Sequence, residues 1–160
     1  MQEWMDQNFP IFFPIFFMGM WILIAYWIAL MGGWRLLAKR FRLQETFLGE
    51  KWHMQSASMR WLTNYNGALT IGADTTGLFI VPVFFFRVWH PALFIPWTEI
   101  TATSKTQLYF FKVVELRLGR GEEIPFRIKA TLAAKIKAAA ASAWPHGHTR
   151  TAEMPPPPIG

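Results

Sequence analysis

The sequence predicts one N-terminal transmembrane α-helix followed by an α+β soluble domain, about seven short antiparallel strands capped by a C-terminal helix. Three observations predict it. Residues 7–31 hold no ionisable side chain except Tyr26, and the charge-free run continues through Gly32, Gly33 and Trp34 to Arg35. Beyond residue 50, short extended segments alternate with turns marked by Gly, Asn and Pro. From Thr131 the pattern becomes helical again in an alanine-rich stretch.

Ile11 to Trp34, as an α-helix, is roughly 36 Å long, enough to cross a hydrocarbon core of about 30 Å with some tilt. A buried soluble helix rarely stays apolar on every face for that distance. A cleaved signal would need a basic start and a small-residue cleavage site, whereas residues 1–9 carry Glu3 and Asp6 and no Lys or Arg. The segment reads as a permanent anchor, with Pro10 and Pro14 in its first turns. Arg35, Lys39, Arg40 and Arg42 follow it directly, so the positive-inside rule places the N-terminus outside and the rest in the cytoplasm. These four cations also suit anionic headgroups. Trp4 and Trp34 are expected at the two interfaces. Phe12, Phe13, Phe16, Phe17, Trp21 and Trp27 face either lipid or the helices of a partner, and Gly19 offers a small surface for close helix contact.

The chain of 160 residues leaves room for one soluble domain. The expected segments are a periplasmic stretch 1–9, the span 10–34, a basic juxtamembrane connector 35–49, the domain 50–144 and a proline-rich tail 145–160. With no cysteine, disulfides, iron–sulfur clusters, Cys-ligated zinc and thiol catalysis are all excluded. A net charge of +6 asks for an anionic neighbour, and beside a bilayer the inner leaflet is nearer than nucleic acid.

Within the domain, Lys51–Trp61 is a half-buried strand, and Asn64-Tyr65-Asn66-Gly67 signals a turn. Ala68–Gly72 and Gly77–Val81 form a hairpin around a polar connection. Phe84–Trp89, Leu93–Trp97 and Ile100–Ser104 continue the extended pattern, with Pro82, Pro91 and Pro96 at edges or bends. Leu108–Leu118 and Glu123–Ile128 are two strands around the turn Gly119-Arg120-Gly121. Thr131–Trp144 is an amphipathic helix with Leu132, Ile136 and Ala140 on one face, ended by Pro145.

This order, together with Thr76-Gly77-Leu78-Phe79-Ile80 and Phe94-Ile95-Pro96-Trp97-Thr98-Glu99-Ile100, resembles the bacterial PH-like and GRAM-like domains over roughly residues 50–144. The resemblance implies a bent antiparallel sheet closed by a helix. It also implies a binding module for lipids, peptides or proteins and no enzymatic activity. Phosphoinositide-binding members of that superfold commonly carry a basic cluster in the first hairpin loop, where this chain has only Arg60 near Asn64–Gly67.

The remaining polar residues support no chemistry. His90, in Arg87-Val88-Trp89-His90-Pro91, reads as structural or surface. His146 and His148 lack a third ligand nearby. Asp74, Thr75 and Thr76 follow a strand and open no helix, which is turn chemistry. Glu122 and Glu123 adjoin a hairpin turn. No catalytic, cofactor-binding or metal-binding residue is expected. Lys105, Lys112, Arg117, Arg120, Arg127 and Lys129 either gather into one basic face toward the headgroups or stand scattered on the solvent side of the sheet. The four prolines 155–158 mark an extended tail.

The expected protein is thus a non-enzymatic, single-pass accessory subunit of an inner-membrane complex. Its helix contacts partner helices, and Phe84, Phe85, Phe86 and Trp89 offer protein contact on the domain. An independent lipid-binding or scaffold protein at the cytoplasmic face is the alternative. Membrane lipids and an integral membrane complex are the expected partners, with neither nucleic acid nor a small-molecule substrate.

Overall fold

A computed structural model of the protein describes residues 2–60, 63–108, 111–121 and 123–145. The chain runs α1 (Gln2–Met31), α2 (Trp34–Phe41), β1 (Glu50–Met59), β2 (Thr63–Ala73), β3 (Gly77–Pro82), β4 (Leu93–Pro96), β5 (Ile100–Leu108), β6 (Phe111–Leu118), β7 (Ile124–Lys129) and α3 (Ala130–Ala140). Single 3₁₀ turns occupy Phe84–Phe86, Trp97–Glu99 and Ala141–Ala143. The expected class is present: an apolar N-terminal helix, seven antiparallel strands and a C-terminal helix.

The strands form a nearly closed barrel in the order β4-β3-β2-β1-β7-β6-β5. Closure depends on β1, whose first half pairs only with β2 and whose end, Ala57–Met59, also pairs with β7. Two irregularities bend it there. Met54 adopts φ 52°, and the register slips again where Gln55 opposes Leu69 but Ala57 opposes Tyr65. Asn64–Gly67 is therefore not a turn. It lies inside β2, with Gly67 at φ 62° as a bulge whose N–H is taken by Ser56 Oγ at 2.9 Å. A Gly in the left-handed region serves a bulge as well as a hairpin, which is why the Asn-Gly pair misleads. The chain turns instead beyond Met59, at Arg60, where φ is 54°.

Alternation puts Leu69, Ile71, Leu78, Ile80, Leu116, Leu118, Phe126 and Ile128 inside, where Leu132 and Ile136 of α3 close the open end. β3 is buried on both faces. On its outer face Phe47 stacks on Phe79 with centroids 4.7 Å apart, because residues 42–47 are drawn across the sheet by an Arg42–Leu93 bridge and a bond from Leu43 N to Ala92 O. The connector after the helix is thus part of the packed domain.

Three further expectations change. α1 begins at Gln2, so Pro10 and Pro14 lie inside the helix; its 22 residues Pro10–Met31 are long and apolar enough to cross a membrane. Phe84–Trp89 leaves the sheet as a 3₁₀ turn and a loop, since β4 pairs with β3 only from Gly77 to Ile80. Trp34 is not at a headgroup interface but fully buried in the domain core. The tail 146–160, with His146 and His148, lies outside the described residues, as do Trp61 and Glu122 and the side chain of Lys105.

Candidate membrane-facing site

The helix and the domain meet at a cluster of three rings. α1 stops at Gly32-Gly33, and Gly33 takes φ 77°, a conformation that lets the chain bend into α2 without a Cβ penalty. A Cβ there would stand 2.9 Å from Ile124 Cδ1, so the bend is pressed directly onto β7. Trp34 follows and enters the core, its Nε1 donating to Pro91 O at 3.0 Å. Its ring meets Tyr65 at 5.8 Å and His90 at 5.1 Å, both edge-on. Burial of such a ring is worth about 3 kcal/mol or more, so withdrawing it to swing the domain about the helix is costly.

His90 is the polar centre of this cluster. Its Nδ1 lies 3.0 Å from Phe86 O and its Nε2 lies 3.1 Å from Tyr65 Oη. A carbonyl can only accept, so Nδ1 carries the proton, and Nε2 accepts from the Tyr65 hydroxyl. Burial disfavours the imidazolium and lowers the His90 pKa to about 4, although the bond to Phe86 pulls the other way. Burial likewise holds the Tyr65 hydroxyl well above the usual phenol range. Both groups stay neutral and serve as structure, tying β2 to the β3–β4 loop.

That loop returns to the helix. Phe86 packs on Trp21 at 5.4 Å and Trp89 meets Tyr26 edge-on at 5.3 Å. Two of the four aromatic residues expected to contact another protein therefore use their rings on this chain's own helix. Phe84 and Phe85 point outward, 76% and 71% exposed. On the opposite side of α1, Phe16, Met20, Leu23 and Trp27 fall within an arc of about 60°, facing away from buried Ala25, Ala29 and Gly32, and all four are exposed. Phe12, Phe13 and Phe17 are exposed on the same helix, Phe13 stacked on Phe17.

The basic collar is divided among several tasks. Arg35 donates to Tyr26 Oη at 3.1 Å and covers its ring. Arg40 reaches Glu99 at 3.8 Å and Arg120 O at 3.2 Å, tying α2 to the β6–β7 hairpin. Lys39 is exposed. Arg42 lines an open cleft of about 450 Å³ together with Lys51, Arg87, Glu45 and Phe47. On the far strands, Glu115 binds Arg127 at 2.8 Å and approaches Arg117, which also reaches Glu123 at 3.0 Å. Charges of both signs alternate at these positions.

Asp74 caps its own turn. Its Oδ1 accepts from Thr76 N, Thr76 Oγ1 and Gly77 N. Partial burial raises its pKa, but these three bonds outweigh that and lower it. Among the described residues, no group of three or more His, Asp or Glu is placed to hold a metal ion. Comparison with known proteins gives no matching family model, no matching curated protein and no matching solved structure.

Sequence reasoning missed the Trp34–Tyr65–His90 cluster. The available signal was His90 between Trp89 and Pro91 in an apolar run, but only tertiary pairing brings it to residues 25 and more positions away.

Proposed function

We propose that this protein is a non-enzymatic accessory subunit of an inner-membrane protein complex, anchored by α1 with its N-terminus outside and its PH-like domain in the cytoplasm. The observation that carries the reading is the rigid joint: Gly33, Trp34 and the β3–β4 loop lock the domain to one side of the helix and leave Phe16, Met20, Leu23 and Trp27 facing the other. A helix held so presents a fixed stripe to partner helices while the domain braces the cytoplasmic side of the assembly. In lipid, association depends on such shape matching, since acyl chains are as apolar as Leu. Lys and Arg following the span and none before it support the orientation.

The test is purification in mild detergent through a C-terminal tag, comparing the native chain with a Phe16→Ala/Leu23→Ala/Trp27→Ala variant. We expect membrane proteins in stoichiometric amount with the native chain and their loss from the variant. A protein that purifies alone with anionic lipid would sink this reading and favour the independent lipid-binding scaffold. The cleft where Arg42, Lys51 and Arg87 converge supports that second reading.

A further inference from the structure

We propose that the β3–β4 loop, Val83–Trp89, is a second membrane element, a wedge that enters the acyl region of the leaflet beside α1. The inference rests on α1 crossing the bilayer, as proposed above. Its tip consists of Phe84, Phe85 and Val88, the last 64% exposed. Three large apolar side chains at the end of a loop are costly in water, and their occupant is identified by what they adjoin. The loop is continuous with the apolar surface of α1 through the Phe86–Trp21 and Trp89–Tyr26 ring contacts.

Depth follows from the same contacts. The Tyr26 hydroxyl holds the Arg35 guanidinium, and a permanent cation marks the polar boundary of the leaflet. Trp21 lies five residues nearer the N-terminus, about 7 Å deeper along the helix axis. Phe86 packs at that depth, so its neighbours Phe84 and Phe85 are placed among acyl chains rather than in the cytoplasm.

Backbone N–H groups exposed to hydrocarbon need partners within the protein. In the loop, those of Val83, Phe86 and Arg87 bond to Ala68 O, Val83 O and Phe84 O, and the N–H of His90 at its base bonds to Arg87 O. The one charged side chain of the loop turns back, with Arg87 Nε donating to Pro82 O at 3.3 Å. Neutral His90 fastens the base of the loop through Phe86 O.

The chain has no cysteine, so single-cysteine variants need no prior substitution. Full-length Phe85→Cys, Leu23→Cys and Thr75→Cys proteins, labelled with an environment-sensitive fluorophore, would be placed in phosphatidylethanolamine–phosphatidylglycerol vesicles. Val88→Cys serves in place of Phe85→Cys if that variant fails to fold. Thr75 sits exposed in the turn at the opposite end of β3. Lipids carrying a nitroxide at a shallow acyl position should quench the Phe85 probe comparably to the Leu23 probe and leave the Thr75 probe unchanged, with aqueous iodide giving the reverse order. Quenching of the Phe85 probe by iodide and not by nitroxide, while Leu23 still responds to nitroxide, would overturn the wedge alone. Resistance of the Phe85 probe to both quenchers, as when a protein surface covers it, would also overturn it. Failure of the Leu23 probe to respond to nitroxide would overturn the crossing helix and the wedge with it.

Discussion

His90 is neutral because it is buried, and that neutrality makes the molecule sensitive to acid. Its folded pKa of about 4 lies below the ordinary value of 6.5. Between these values the unfolded chain binds the proton and the folded chain does not, so stability is present above about pH 6.5 and is lost as pH falls toward 4. A shift of this size corresponds to about 2 to 3 kcal/mol by about pH 4.5. Thermal melts of the full-length protein in detergent should show a lower Tm at that pH than at neutrality, and a His90→Gln variant, which has no proton to gain there, should show a smaller drop. Equal pH dependence in the two proteins would remove His90 from the account. The sequence shows a histidine among aromatics, enough to mark it structural. It does not show Tyr65 Oη and Phe86 O, because those partners arrive from β2 and a loop that only the folded sheet brings together.

At the scale of elements, the joint between α1 and α2 fixes how the helix meets the domain. Gly33 is the one residue of the joint in the left-handed region, and its added Cβ would meet Ile124. Gly33→Ala is expected to cost about 1 to 2 kcal/mol from backbone strain alone, more if Ile124 must shift. Gly19, in the middle of α1, has no atom within 4 Å of an added Cβ, so Gly19→Ala should leave the melt unchanged or raise it slightly through helix propensity. A Gly33→Ala melt no lower than that of the native chain would show that the left-handed joint does not hold the domain. The basic residues after the span were legible as a topology signal, yet their separate attachments were not. Arg40 finds Glu99 and Arg120 because α2 turns back onto the barrel, whereas a helix continuing straight from the membrane would have left all four cations in the headgroups.

For the whole molecule, orientation is the claim open to the simplest check. In the proposed orientation, which the positive-inside rule draws from Arg35, Lys39, Arg40 and Arg42, a green fluorescent protein fused after Gly160 should fluoresce and an alkaline phosphatase fused there should stay inactive. An active phosphatase would reverse the topology and place the aromatic loop against the outer leaflet instead. The sequence by itself determined the apolar helix, the class of the domain and the order of most strands. Each of these rests on a local period: a long charge-free run, alternation along strands, and i, i+4 spacing in α3. Tertiary structure alone decided that Asn64–Gly67 is a bulge within β2, that Phe84–Trp89 folds back onto α1, and that Trp34 belongs to the core. A ring of Trp34's size suits a membrane interface and a protein interior equally well, and only the packing of β2, the β3–β4 loop and α2 around it selects the interior.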